Sequence, residues 1–361
     1  MSWSAGKSTA ARAPPMWGSN SICKDEVSAM RGLDMRTDLA KLVAIGVVSA
    51  VCGLSSSAGA GTALKAITYA PLSKIEDSMV IFKKWVDRVN NESQGELRVE
   101  LLGGPEVFPV SDQINALSKG LVDVVMTFSV HTPLVPEIDT SGLSDITPAE
   151  ERSNGYLDML DKAHEKINVK VIGRTATHSG FYIFSKQPIR TLADFKNLKI
   201  RSHSGYDPLF KKVGAIPIGM NISEIYGALE RGIVGAAPYP IFVYDMGLQE
   251  VTKFALGDAF WPSHTTFSYI NLKKFNSLTP KEQAILVNAQ IENEKAMAAV
   301  DADLIATERA KLEKAGMTFT HLSPEEAKQW HDMANESRFD ALSSKIRPEQ
   351  MSKIKSLIVR N

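Results

Sequence analysis

Cysteine is scarce in this sequence: its 361 residues include two, Cys23 and Cys52. Two thiols exclude a disulfide framework and a thiolate metal cluster. Neither sign of charge dominates, because 41 Lys and Arg face 41 Asp and Glu. That balance excludes the broad basic field with which a protein gathers nucleic acid, and it excludes an acidic tail. Long hydrophobic runs are missing as well. The longest, residues 42–54, has about 13 residues, whereas a membrane-spanning helix needs about 20. Residues 61–361 also lack a Gly-x-Ser-x-Gly elbow, a Gly-x-x-x-x-Gly-Lys phosphate loop, a His-Glu-x-x-His pair and a Gly-x-Gly-x-x-Gly turn. The seven histidines are scattered without metal-ligand spacing. These absences speak against an enzyme, a bound cofactor and a metal centre.

What is present is ordinary globular material, 44% hydrophobic and 23% charged. At roughly 100–200 residues per domain, the length suits about two domains. The first sixty residues form a separate object. The basic stretch Met35-Arg36-Thr37-Asp38-Leu39-Ala40-Lys41 precedes the apolar run, and Ser55-Ser56-Ser57-Ala58-Gly59-Ala60 follows it. A charged start, a short apolar middle and an Ala-x-Ala ending describe a secretory signal peptide, cleaved after Ala60. Residues 1–34 carry no apolar pattern, which moves the expected start of translation to Met30 or Met35. Cleavage removes both cysteines and leaves 35 basic against 37 acidic residues. An exported chain without disulfides rests on its hydrophobic core.

From residue 61 onward, strand and helix signals alternate, the mark of an α/β protein with mostly parallel sheets. Strands are expected at 64–69, 97–102, 122–127, 169–173, 181–185 and 198–202. Helix starts are expected where a capping residue stands three positions before an acidic one: Ser73 with Glu76, Thr147 with Glu150, Thr191 with Asp194, Asn221 with Glu224, and Thr279 with Glu282. The last of these opens an uninterrupted helical pattern to Gly316, on the order of 50 Å long at 1.5 Å per residue. Its stripe of Ile285, Ala289, Ala296, Val300 and Leu304 suits packing along two lobes at once. Glu150-Glu151 and Glu325-Glu326 fall at helix starts, where carboxylates complement the helix dipole.

Two stretches are candidates for a binding site. Lys199-Ile200-Arg201-Ser202 is a strand with an arginine near its carboxyl end, where ligands bind in open α/β sheets, and Arg matches a carboxylate. From pattern alone a solvated outer position is the commoner fate of such an Arg. The second stretch, Gly232-Ile233-Val234-Gly235-Ala236-Ala237-Pro238-Tyr239-Pro240, reads as a rigid loop presenting one ring, with core packing of Tyr239 an equal alternative.

In residues 64–342 the chain resembles the solute-binding proteins of TRAP transporters, the family named after its dicarboxylate-binding member. The resemblance is strongest from Ile189 to Pro240. It is carried by Asp194-Phe195-Lys196-Asn197-Leu198-Lys199-Ile200-Arg201, by Val213-Gly214-Ala215-Ile216-Pro217 and by Glu224-Ile225-Tyr226-Gly227-Ala228-Leu229-Glu230-Arg231-Gly232. Gly103-Gly104-Pro105-Glu106-Val107 and Lys119-Gly120-Leu121-Val122-Asp123 add to it. The resemblance implies a two-lobed α/β periplasmic binding fold with a central cleft, hinge strands and the long helix spanning both lobes. Lobe I would comprise 61–180 with 266–298, and lobe II 181–265 with 299–361.

The resemblance further implies that Arg201 pairs with a ligand carboxylate and that Tyr239 contacts the ligand. Phe181 lies near the place of a second basic residue in sialic-acid-type members, which implies one carboxylate and an apolar ligand body. Pro238 replaces an acidic residue that helps hold a metal in some oxoacid-binding members, and Gly235 stands where the family usually has Asp. Phe128, Ser129 and His131 follow a strand end in the first lobe, and Trp261 with His264 follow the turn after Ala259; all five are candidates to face ligand. Arg174 is a candidate second cation, with a solvent-facing role as its alternative. The expected protein is a periplasmic, monomeric receptor that delivers a small organic acid to the small and large membrane subunits of a TRAP permease. Presentation to a membrane sensor kinase, or an exported enzyme acting on organic acids, is the alternative.

Overall fold

The computed structural model describes residues 61–176, 180–203, 205–261 and 266–359. The expected signal segment and His264 lie outside the described residues.

Apolar residues at alternate positions build two sheets. The first holds β1 (Thr62–Thr68), β2 (Leu97–Gly103), β3 (Val124–Thr127), β4 (Val169–Arg174) and β10 (Phe267–Asn271), in the order β2-β1-β3-β10-β4. The second holds β5 (Phe181–Ser185), β6 (Lys199–Ser202), β7 (Ile216–Gly219), β8 (Ala236–Tyr239), β9 (Phe254–Trp261) and β11 (Thr318–Thr320), in the order β11-β9-β5-β8-β6-β7. The sheets are less uniformly parallel than the alternation of elements suggests. β10 runs antiparallel to β3 and β4, and β5 runs antiparallel to β8 and β9. These exceptions come from the chain changing sheets: β4 leads into β5, and β9 leads back into β10.

The described ends of the two crossings pair with each other. Phe267 opposes Arg174 at one end, Phe181 opposes Trp261 at the other, and Thr175 N–H donates to Thr266 O between them (3.1 Å). They are the hinge strands of a two-lobed fold. Each sheet buries both faces, as a crossover-linked sheet must. Val125, Phe267 and Tyr269 face one core of the first sheet, and Leu64, Val124 and Trp85 belong to the other.

The expected long helix is Pro280–Lys314. Thr279 and Glu282 cap it reciprocally, as Thr147 with Glu150, Thr191 with Asp194 and Asn221 with Glu224 do at their helices. Leu286 and Ala289 pack in a first-lobe core, while Leu304 and Leu312 pack in a second-lobe core. The helix therefore spans both lobes. Its middle departs from the expected stripe: Ala296 is exposed, and Gln290, Asn293, Glu294 and Asp301 are buried instead. There the helix meets backbone and charge rather than apolar side chains. Gln290 donates to Arg174 O, Asn293 donates to Ile81 O (2.9 Å), and Glu294 receives Arg152 through Nε (2.5 Å) and Nη2 (2.8 Å).

A further helix, Pro324–Ser343, also bridges the cores. Trp330 and Ala334 pack in the second lobe, and Leu342 packs in the first. Met351, Ile354 and Ile358 of the last helix, Pro348–Ile358, join that first-lobe core. Packing thus groups residues 342–358 with the first sheet, whereas the sequence reading assigned all of 299–361 to lobe II. The apolar periodicity of a helix shows that it packs, but not against which sheet.

Candidate functional site

Arg201 sits on β6, one residue before its carboxyl end. It is 5% exposed, so it is not the solvated outer residue that strand alternation allows. Its Nε donates to Met220 O (3.3 Å), and among the described residues it forms no ion pair. Burial holds the guanidinium's pKa below its ordinary value, while the phenols of Tyr206 and Tyr239 act in the opposite direction. A buried cation without a counter-charge is costly unless something supplies one.

Tyr239 ends β8. The stretch 232–240 forms a turn and this strand rather than the expected rigid loop. Gly232 adopts φ +70°, a left-handed conformation that favours glycine, and so stops the Ile225–Glu230 helix. β8 pairs with β5 through Tyr182–Tyr239, but its pairing with β6 is confined to Ile200 opposite Ala236. Pro238 has no N–H with which to extend that ladder. The carboxyl ends of β6 and β8 are thereby left apart beside Arg201 and Tyr239.

An aromatic wall continues from Arg201. Tyr206, which opens the next helix, lies tilted 3.9 Å from the His203 ring, and Phe181 lies 5.9 Å from Tyr206. Phe260 and Trp261 back this wall at 5.6 and 4.9 Å from Tyr206. Trp261 is 4% exposed and donates through Nε1 to Ala334 O (3.4 Å). It supports the wall from within the core instead of lining a mouth, because its ring is sandwiched between lobe II aromatics and Arg338, whose guanidinium lies 4.0 Å above it.

The first lobe contributes the ends of β1 and β3. Phe128 stands edge-on to Tyr69 at 5.4 Å. Ser129 donates to Asp139 Oδ1 (2.8 Å), which also accepts from Arg338 Nη2 (2.7 Å). Burial alone would raise the Asp139 carboxyl, but Arg338 and Ser129 outweigh it and hold the pKa below the ordinary carboxylate value. Arg201, Asp139 and Arg338 all act electrostatically on His203. Lys74 of the first lobe donates to Phe242 O of the second (3.2 Å). The two lobes therefore meet at Lys74 and Phe242.

Two candidates turn away from this meeting place. His131 is 4% exposed, its Nε2 is 2.8 Å from Nε2 of His164, and its ring lies against Tyr269. Burial first, and His164 second, push its pKa to about 3. It is a neutral core histidine, turned inward by the β3–β10 packing that the sequence does not reveal. Arg174 is neither a second ligand cation nor solvent-facing. It is 2% exposed and held by Glu151 at 2.7 Å through both Nε and Nη2. Glu151 likewise serves as its partner more than as a helix-dipole carboxylate.

Sequence reasoning missed Asp139, Arg338, Tyr69 and Glu76. Asp139 and Arg338 lie 199 positions apart, so no local spacing pairs them. Glu76 was hidden inside a capping signature that the fold does not use: the helix begins at Asp77, and Glu76 makes no capping hydrogen bond.

No group of three or more His, Cys, Asp or Glu that would hold a metal occurs among the described residues, and none of their helices is long and apolar enough to cross a membrane. Residues 71–341 match the family described as bacterial extracellular solute-binding protein, family 7. The 2,3-diketo-L-gulonate-binding periplasmic protein of Escherichia coli is 27% identical over 256 residues, covering 67% of this chain and 76% of that protein. A TRAP periplasmic solute-binding protein from Ochrobactrum anthropi superposes with a TM-score of 0.71 at 21% identity, covering 82% and 95% of the two chains. One from Sulfitobacter with bound β-D-galacturonate gives 0.68 at 15%, covering 82% and 99%.

Proposed function

Because the chain belongs to the family 7 extracellular solute-binding proteins, the periplasmic receptors of TRAP transporters, we propose that it captures a small organic acid through an Arg201–carboxylate pair and delivers it to a TRAP permease. The observation that carries this reading is Arg201 itself, buried and without an acidic partner among the described residues. A ligand carboxylate entering beside it supplies the missing charge in a two-pronged geometry. Tyr239 and Phe181 give the ligand body an aromatic wall, and Phe128 with Ser129 close it from the first lobe. The E. coli relative's sugar-acid ligand and the galacturonate bound by the Sulfitobacter protein agree with a carboxylated small molecule.

Closure follows from differential affinity. A ligand shifts the open–closed equilibrium only by binding the closed form more tightly, and contacts from both lobes exist only there. Retention without turnover separates the receptor from an enzyme. Export by the segment 1–60, a monomeric state and docking on the small and large permease subunits complete the reading. A thermal-shift screen of residues 61–361 against organic acids tests it. Saturation at about 100 times the dissociation constant stabilises by about 2.7 kcal/mol. Failure of every carboxylate, with a neutral solute binding instead, removes the Arg201 assignment.

A further inference from the structure

The strand that carries Arg201 stays in register to its end. Ser202 opposes Gly219, and Ser202 O still accepts from Met220 N–H (3.4 Å). Side chains two positions apart on extended backbone leave from the same face. Arg201 and His203 therefore emerge together where β6 stops, while Ser202 between them donates to Asp207 Oδ1 (2.5 Å). His203 differs from its neighbour in one respect. Arg201 is buried, whereas His203 is exposed.

The imidazole is held in one orientation. The Tyr206 ring lies 3.9 Å away, and Gly205 N–H donates to Nδ1 (3.0 Å). A Cβ at position 205 would come within 2.8 Å of the ring carbon Cε1, so only glycine lets ring and backbone approach this closely. A backbone N–H can only donate. Nδ1 is thus the acceptor, and the proton of the neutral ring sits on Nε2. Among the described residues no group hydrogen-bonds Nε2. The charged groups facing the ring come from four elements: Arg201 on β6, Asp207 on the following helix, Asp139 on the first lobe and Arg338 on the bridging helix. Burial first and Arg201 second push its pKa to about 4, with Asp139 and Asp207 acting in the opposite direction. A side chain on the wall of a cleft is both open to water and closely surrounded by protein.

We propose that His203 is a ligand-binding residue whose Nε2–H donates to the carboxylate held by Arg201, as a neutral third donor beside the arginine's two Nη groups. This inference rests on the receptor reading and assigns that site a further contact. Arg201 Nε is already engaged by Met220 O (3.3 Å), which leaves Nη1 and Nη2 for the ligand. A carboxylate has about four lone-pair sites, so two donors from Arg201 leave room for another. A hydrogen bond to an ionised acceptor is stronger than a neutral one, and a donor fixed in advance loses little freedom on binding. The ring needs no protonation for this, because Gly205 has already placed the proton on the free nitrogen.

Calorimetry on residues 61–361 with galacturonate, malonate, lactate and benzoate tests the assignment in wild type, His203→Phe and His203→Gln. Phe fills the place beside Tyr206 without a donor and is expected to weaken every acid that binds by one common factor of about ten- to hundredfold. Gln offers an N–H at similar reach and is expected to stay within about threefold of wild type. In wild type, affinity is expected to change less than about twofold from pH 8 to pH 6.5, and the Nε2-bound proton is expected to shift downfield in the nuclear magnetic resonance spectrum when the acid is added. Undiminished affinity in His203→Phe overturns the proposal, as does Gln binding no better than Phe. A loss seen with one acid and not another places His203 against the ligand's body and overturns the carboxylate contact. Affinity rising about tenfold per unit of falling pH overturns the neutral donor. If none of the acids binds wild type, the receptor reading falls as well, an outcome distinct from acids that bind without regard to His203.

Discussion

Arg174 and Glu151 close a two-pronged ion pair inside the first lobe, Nε to Oε2 and Nη2 to Oε1, both at 2.7 Å, with the side chains 2% and 1% exposed. The same guanidinium donates to Ser141 O (2.6 Å), and the Arg174 backbone is held from both sides by Glu294 and Gln290 of the long helix. The pair ties the end of β4 to the short helix Pro148–Ser153, and the backbone contacts tie it to the long helix that bridges the lobes. Removing one partner strands a buried charge, which costs about 3–5 kcal/mol. Glu151→Gln is therefore expected to lower the urea midpoint sharply at unchanged slope. Unchanged ligand affinity of the folded variant separates this structural role from a ligand contact.

The second arginine behaves in the opposite way. Arg201 is desolvated, and no described residue offers it a countercharge. Arg201→Ala is expected to leave the unliganded protein's stability within about 1 kcal/mol of wild type or to raise it, since function and stability oppose one another at such sites. It is also expected to abolish ligand-induced stabilisation. Calorimetry that finds undiminished affinity in this variant defeats the carboxylate assignment.

His131 gives the stability a pH dependence with a definite sign. Its folded pKa of about 3 lies below the unfolded value of about 6.5. Between these values the unfolded chain binds more protons, so stability is complete above pH 6.5 and is lost as the pH falls toward 3. The slope contributed is at most about 1.4 kcal/mol per pH unit. Burial lowers His164 as well and adds to the same trend. Urea titrations at pH 7, 6, 5 and 4.5 are expected to show a shallower decline in His131→Asn. Parallel declines in the two proteins would contradict the buried neutral pair.

Arg338 connects the lobes through two different contacts, the Trp261 ring at 4.0 Å and Asp139 at 2.7 Å. Arg338→Met keeps much of the packing over the ring but loses the ion pair. The expected result is a more open unliganded population, measured as a larger radius of gyration by solution scattering, and a ligand affinity lowered about 5- to 50-fold, in proportion to the closed fraction lost. An unchanged scattering profile would show that Asp139 and Arg338 do not bias closure.

Much of the architecture was legible because local rules decide it. Thr147, Thr191, Asn221 and Thr279 cap the helices that they were expected to cap. Ser73-x-x-Glu76 obeys the same rule on paper and fails, because a buried phenol competes for the carboxylate. Arg201 and Tyr239 are candidates on the strength of a strand end and a family resemblance. Asp139 and Arg338 were invisible, since they meet only after a helix 199 residues downstream returns to the first lobe.

The sequence by itself determined that residues 61–361 fold as α/β without cysteine, that one long helix runs beyond a single lobe, and that an arginine ends a strand where α/β proteins bind ligands. Capping, periodicity and composition are local properties, readable within a few turns of chain. Only the tertiary structure decided which charges are satisfied. Arg174 and Arg201 look alike in sequence, each near the end of a strand, and no window of residues tells them apart. Glu151 neutralises the first at 2.7 Å, and among the described residues the second stands buried without such a partner. Burial and pairing depend on long-range packing, and a neutral overall charge balance reveals neither.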